Sequence, residues 1–213
     1  MQNAIKSGRT RAYHYIRDQV LPDPAAQGTF ITEEEVAERV GGISRTPVRE
    51  AFLLLGAEGL LQLVPRHGAF ISPVTRQDIE EVLELRAVIE AQAVHRVIAQ
   101  GTTPLNAMKE ALAHQTRVAG IGSEREFNEW DTEFHLSLVR ATGNSLMTKI
   151  YADLRTRMIR IGVLSLLATR DRQQQVIAEH QRIVDALASG DTEAAMAAVN
   201  IHIDRTGAGL KEI

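Results

Sequence analysis

Four side chains in the C-terminal two thirds of the chain have the types and spacing to hold a metal ion. Asp131 and His135 stand four apart in Glu129-Trp130-Asp131-Thr132-Glu133-Phe134-His135, which puts both on one face of a helix. His180 lies in Ile177-Ala178-Glu179-His180-Gln181-Arg182-Ile183 and His202 in Val199-Asn200-Ile201-His202-Ile203. Each has the apolar neighbours of a face turned toward other helices. One carboxylate and three imidazoles suit a single divalent ion per chain (Zn, Ni, Fe, Mn or Co) and leave positions open on an octahedral centre. Taken singly, such a histidine is more often a hydrogen-bonded core or surface residue than a ligand. The sequence contains no cysteine, so disulfides and thiolate sites are excluded and any metal must be held by His, Asp or Glu. His14, His95 and His114 fall outside the set and are not expected to be ligands.

Two arginines extend this chemistry toward an anionic ligand. Arg86 falls within the apolar stripe Ile79, Val82, Leu83, Ile89, Ala93, Val97, and an inward guanidinium needs an anionic partner. That partner is Glu90 at i+4, a carboxylate of another domain, or the carboxylate of a small effector. Arg157, on the helix bearing Ile150, Leu154 and Ile161, is a second candidate of the same kind. Trp130 is read as packing.

A second set of basic residues lies near the N-terminus. Arg45 and Arg49, four apart at the start of a helix, point to one side, with the small hydroxyl of Thr46 between them. Arginine pairs bidentately with guanine O6 and N7, and a helix N-terminus favours phosphate. Arg66 and His67 sit at a turn, and Gly68 permits close backbone approach. Isolated arginines on a helix start are more often a solvated face, so the arrangement of the whole segment has to carry the reading.

The elements that must position these groups follow from punctuation and period. Of six prolines, Pro22, Pro24, Pro47, Pro65 and Pro73 precede residue 74 and only Pro104 follows. This divides the chain into an N-terminal part (1–74) and a C-terminal part (75–213). The second part carries 3.6-residue periods interrupted at Gly101, Gly120/Gly122, Gly143, Ala168-Thr169 and Gly190. Six helices are predicted there, over 76–100, 104–119, 123–142, 145–167, 170–189 and 191–208. In the first part a helix is predicted over 11–20, and Thr32 with Glu35 forms a capping-box pattern for a short helix to Val40. Ser44 is placed to cap a further helix with the stripe Val48, Ala51, Phe52, Leu55. Leu60–Val64 and Ala69–Ser72 then flank Pro65-Arg66-His67-Gly68 as a hairpin. Helix, tight turn, helix and a hairpin with a basic tip is the order of a winged helix-turn-helix, whose second helix enters a major groove. The fold class is mainly α: this unit followed by an all-α antiparallel bundle.

The run Ser44-Arg45-Thr46-Pro47-Val48-Arg49-Glu50-Ala51, with Leu55, Glu58-Gly59-Leu60 and Arg66-His67-Gly68-Ala69, resembles the DNA-binding domain of GntR-family transcription regulators over residues 8–74. The resemblance implies base and phosphate contacts at Arg45, Thr46, Arg49, His67 and Gly68, with Arg66 beside them on the wing. Relatives commonly carry an arginine early in the preceding helix, whereas this chain has Glu33-Glu34-Glu35, with Glu34 nearest. The turn Val40-Gly41-Gly42-Ile43-Ser44 is also one residue longer than the usual form. The Asp-x-x-x-His pair, a histidine 45 residues on in Glu-His-x-x-Ile and another 22 further resemble the FCD domain of the FadR-like branch of this family. So do the turns Ala141-Thr142-Gly143-Asn144 and Ser189-Gly190-Asp191. This likeness spans residues 76–210, and six helices resemble the VanR-like subgroup. It implies that all four metal-ligand positions are filled and that a cavity arginine anchors a carboxylate.

The resulting expectation is a ligand-responsive transcription regulator and not an enzyme: a homodimeric repressor that binds a palindromic double-stranded operator and senses a small organic acid through its metal. The alternatives are a metal-dependent enzyme or a pure metal sensor using the Asp/His cluster. No second acid is visible in the sequence as a general base for the enzyme. The formal charge of −3 is unlike a uniformly basic nucleic-acid binder, but it is unevenly spread. Residues 1–74 hold eight Lys/Arg and eight Asp/Glu. Residues 1–17 contain Lys6, Arg9, Arg11 and Arg17 with no acid, and the acidic cluster is confined to 33–38. No stretch approaches ~18 uninterrupted apolar residues, and Met1–Lys6 has no apolar run of the secretory kind. A cytoplasmic location, with no membrane partner, is expected.

Overall fold

The computed structural model of the chain describes residues 7–168 and 170–210, which form two compact units divided between Val74 and Thr75. Lys6 of the basic N-terminal stretch and Thr169 of an expected helix break lie outside the described residues.

In the first unit, α1 (Gly8–Tyr15) starts where Ser7 Oγ accepts the Thr10 N–H, and it passes into a π-helical turn over Ile16–Val20. Pro22 cannot continue a helix, and the chain turns there. Strand β1 (Phe30–Ile31) leads into α2 (Glu33–Arg39). The capping box is formed: Thr32 Oγ1 accepts the Glu35 N–H at 3.2 Å and Glu35 Oε2 accepts the Thr32 N–H at 2.8 Å. Gly41 (φ +94°) and Gly42 (φ +67°) then turn the chain through backbone conformations that L side chains rarely adopt. Next comes α3 (Arg45–Ala57). Ser44 occupies its N-cap position with extended backbone, yet its side chain makes no cap hydrogen bond. The predicted stripe of α3 is the buried face: Val48, Ala51, Phe52 and Leu55 are all in the core. There they pack with Ala12, Ile16, Val36 and Ile71.

The hairpin forms between β2 (Gln62–Val64) and β3 (Gly68–Phe70), with Val64 opposite Gly68 and Leu63 opposite Ala69. Strand β1 adds to the far side of β3, pairing Ile31 with Ala69, so the wing is a three-stranded sheet of order β1-β3-β2. This third strand is only two residues long, too short to give a period. It also explains Gly68, where a Cβ would collide with the Ile31 carbonyl oxygen. The glycine is required by the sheet itself.

The second unit is all helix among the described residues: α4 (Arg76–Gln100), α5 (Leu105–Val118), α6 (Glu124–Arg140), α7 (Ser145–Asp153), α8 (Arg155–Ala168), α9 (Arg172–Ser189) and α10 (Thr192–Ala208). Helix α6 packs against α4, α5, α7 and α8, while α10 lies on α4 and α9. Residues 134–139 of α6 are all buried, the pattern of a helix surrounded on every side. One expectation is corrected: the helix predicted over 145–167 is two, interrupted at Leu154. There the backbone N–H turns to Tyr151 and Ala152 carbonyls instead of that of Ile150, with no glycine or proline to announce it. The count of six helices, and the likeness to the six-helix subgroup built on it, does not carry over.

Candidate metal centre and candidate reading face

Asp131, His135, His180 and His202 are brought together from α6, α9 and α10, with one ligand atom of each within 4.8 Å of all the others. His135 Nε2 lies 3.2 Å from His180 Nε2 and 3.1 Å from His202 Nε2. Asp131 Oδ1 lies 3.3 Å from His180 Nε2. With metal–ligand bonds of about 2.1 Å, adjacent ligands are separated by about 3.0 Å in an octahedron and about 3.4 Å in a tetrahedron, so these spacings suit one ion. All three imidazoles are buried, and Phe134 stacks on His180 with ring centroids 4.0 Å apart.

The outer nitrogens decide what the inner ones can do. His180 Nδ1 faces Gln115 Oε1 at 2.8 Å, and His202 Nδ1 faces Glu179 Oε2 at 2.9 Å. His135 Nδ1 lies 2.7 Å from Glu90 Oε2, close but without the alignment of a hydrogen bond. His180 and His202 each set an outer nitrogen against an acceptor, which favours a proton there and a free Nε2, and His135 Nδ1 has the Glu90 carboxylate close by. Three Nε2 atoms converge beside a carboxylate, a donor set that could hold a divalent cation.

The acceptors are themselves held. Glu90 Oε1 accepts from Tyr151 OH at 2.6 Å and from Arg86 Nε at 2.9 Å. Glu179 Oε1 accepts from Arg172 Nη1 at 2.8 Å and Arg205 Nη1 at 3.2 Å. Electrostatics follow these contacts. Burial alone would raise the Glu90 pKa, but His135 and Arg86 hold it well below the usual carboxylate range. Glu179 is likewise brought down to about 2, its burial outweighed by His202 and Arg172. Burial lowers His180 to about 3 and lowers His202 as well, while neighbouring Asp131, its own burial notwithstanding, is held well below its ordinary value by His180.

Arg86 is buried, and its Nε is engaged by Glu90, the i+4 partner. Its Nη2 is buried without a hydrogen-bond partner. Arg157 is half-buried on α8 near Arg160, so Arg86 is the arginine placed against the cluster. The side chains that orient the histidines (Glu90, Gln115, Glu179) were not identified as a group from sequence. Their signal was present: Glu90 falls one helical turn before Val94, and Gln115 one turn after Ala111, each on a largely apolar buried face. The structure also supplies the acids that the sequence did not show. Both face outer imidazole nitrogens and are tied down by arginines, so neither is poised as a base toward the ligand-facing side.

In the first unit, Arg45, Thr46 and Arg49 are exposed on the first turn of α3. Arg45, Arg49, Arg66, His67 and Gly68 line a groove of ≈ 500 Å³ between α3 and the wing. Arg66 holds a left-handed backbone conformation (φ +66°) at the wing tip, and the His67 ring contacts the Pro65 carbonyl at 3.1 Å. Arg45 Nη2 donates to Glu34 Oε2 at 2.7 Å, and Arg49 Nε lies 3.4 Å from Glu33 Oε1.

Comparison with known proteins gives two family matches. Residues 9–71 match the bacterial regulatory proteins of the gntR family, and residues 81–205 match the FCD domain. An HTH-type transcriptional regulator in an unstable DNA locus of Streptomyces ambofaciens is 30% identical, over 93% of this chain and 83% of its own. The HTH-type transcriptional repressor RspR of Escherichia coli K12 is 26% identical, over 99% of this chain and 92% of its own. Among solved structures, E. coli McbR/YncC superposes with a TM-score of 0.77 at 20% identity, covering 92% of this chain and 93% of that one, a likeness of fold. No helix among the described residues is long and apolar enough to cross a membrane.

Proposed function

The chain belongs to the GntR family of bacterial regulatory proteins and carries its FCD domain, as a DNA-binding transcription regulator and not an enzyme; from that premise we propose a metal-dependent repressor relieved by a small carboxylate. It acts in the cytoplasm as a homodimer that sets two α3 helices into a palindromic operator. Arg45, Thr46 and Arg49 read the major groove, and Arg66, His67 and Gly68 bring the wing to the backbone or minor groove. Exposure of the first three on one helical turn supports this reading.

Asp131, His135, His180 and His202 would hold one divalent ion, which supplies a Lewis-acidic centre for a carboxylate oxygen. The carrying observation is the set of three inward Nε2 atoms whose outer nitrogens all face acceptors, with the partnerless Nη2 of Arg86 on the same network. Arg86 gives the effector's carboxylate a buried, charged partner: burial works against the charge, but the field of Glu90 and its hydrogen bond outweigh it and keep the guanidinium ionised. Arg157 is the second candidate for the effector. Glu90, Gln115 and Glu179 fix the tautomers, so effector binding displaces helices rather than ring orientations. A shift of α9 and α10 that favours one spacing of the reading heads couples the two functions.

The test is calorimetric titration of small mono- and dicarboxylic acids into zinc-loaded protein and into His135→Ala. Binding that needs His135 and weakens operator affinity supports the reading. Operator affinity that responds to zinc alone, with no acid bound, identifies a pure metal sensor, and turnover of a bound acid identifies an enzyme.

A further inference from the structure

The two arginines at the start of α3 are not presented bare. Glu34 accepts from Arg45 at 2.7 Å, and Glu33 lies 3.4 Å from Arg49. Both carboxylates occupy the first turn of α2, where the helix dipole favours acids. The Thr32–Glu35 capping box sets where that turn begins, so the acids are positioned by the fold. Both pairs line the groove between α3 and the wing that also holds Arg66 and His67. A carboxylate at this place has a consequence opposite to that of a further basic residue: it competes with DNA for the arginine.

We propose that Glu33 and Glu34 set the sequence discrimination of the reading unit by occupying Arg49 and Arg45 until a guanine edge displaces them. The proposal rests on the assignment of α3 as the reading helix. Both partners of the Arg45–Glu34 pair are 64% exposed, so the pair is screened and weak. Guanine O6 and N7 offer the guanidinium two parallel bonds, enough to open such a pair. A phosphate can accept two such bonds as well, but unlike the neutral guanine edge it brings a negative charge beside the released carboxylate. Contacts to the backbone alone are thereby penalised more than contacts to the matching base. Eight basic and eight acidic residues in 1–74 fit this: the unit gives up general attraction to DNA in exchange for selectivity.

The experiment compares the full-length wild type, Glu34→Gln and Glu33→Gln/Glu34→Gln by fluorescence anisotropy. One duplex is the operator selected by the wild-type chain from random sequences and the other is a mixed-sequence duplex of about 30 base pairs. For the double variant, binding to the mixed duplex should tighten about tenfold, and the slope of log K against log salt should steepen by about one to two. Operator affinity should change less than about threefold, so the specificity ratio falls. Equal gains on both duplexes, or no gain on the mixed one, overturn the proposal. Arg49→Ala is measured in parallel. If it leaves operator affinity unchanged, the assignment of α3 fails and the proposal with it. If it weakens operator binding while the glutamine variants are silent, the proposal alone fails. Glutamine matches glutamate in shape at exposed Glu34 and half-buried Glu33, and a thermal melt of each variant checks that the fold is retained.

Discussion

Arginine–glutamate pairs occur in both units at nearly the same distance, 2.7 Å for Arg45–Glu34 and 2.9 Å for Arg86–Glu90, yet the first pair is 64% exposed on both sides and the second 4% and 0%. Solvent makes them different devices. On the surface, water and salt weaken the attraction, and separating the partners merely returns both to solvent. In the bundle neither charge has that refuge, so the pair is maintained by the cost of leaving either ion alone. Distance therefore says little about energy here, and burial says most. The exchange of one partner for a DNA base proposed above is open only to the exposed pairs. The buried ones act as struts that keep three imidazoles in fixed orientation.

The largest effect that could break this contrast is expected at Glu90. Glu90→Ala leaves Arg86 charged and buried, at a cost of about 3–5 kcal/mol. Urea unfolding of the metal-free protein measures it, and a loss below about 1 kcal/mol would mean that water reaches the pair and the two regions do not differ. Next is the pH dependence of the same metal-free protein. His180 is lowered to about 3 by burial, and His202 is shifted in the same direction. An unfolded histidine takes up its proton near pH ~6.5, so below that pH the unfolded chain binds protons that the native chain refuses. Stability should be full above pH ~6.5 and fall as pH drops toward 3. Glu179, at about 2 in the native chain, adds a further loss below its ordinary range near ~4.3. A midpoint that stays flat between pH 6.5 and 4 would contradict buried, neutral imidazoles. Bound metal should leave over the same range as the ligands protonate, which elemental analysis after equilibration at each pH detects.

Smaller effects separate the two roles further. Gln115→Leu removes the acceptor behind His180 and should weaken zinc affinity about 10–100-fold, read by competition with a chelating dye. Equal affinity would show that Gln115 does not orient the ring. Arg49→Ala should weaken specific operator binding by about 1–3 kcal/mol with the dimer intact. Glu34→Gln should leave folding stability within about 1 kcal/mol, the surface counterpart of the Glu90 result, and a larger loss in a denaturant melt would place the exposed pair among the structural struts.

Much of this organisation was legible in the sequence, for local reasons. The stripe Val48, Ala51, Phe52, Leu55 repeats at helical period and became the buried face of α3. Thr32 and Glu35 carry their own hydrogen-bond pattern across three residues, and the structure closes both bonds. Asp131 and His135 share a face because helix geometry leaves no choice. The interruption at Leu154 left no trace, since it depends on how α7 and α8 pack and not on a breaker residue. Strand β1 exists because β3 offers it an edge. Gly68 was expected to admit close approach, and the approach the structure shows is that of Ile31.

The sequence by itself determined the residue types that could bind metal or base edges, and the helices that carry them, because period, caps and i,i+4 spacing are properties of a single segment. Tertiary structure alone decided that histidines 45 and 67 residues along the chain from His135 point their Nε2 atoms to within 3.2 Å of it. It also decided that Glu90, Gln115 and Glu179 stand behind them, and that Glu33 and Glu34 reach the arginines of the next helix. Those are contacts between segments, set by how apolar faces pack, and no local pattern encodes which polar group will meet which across the gap.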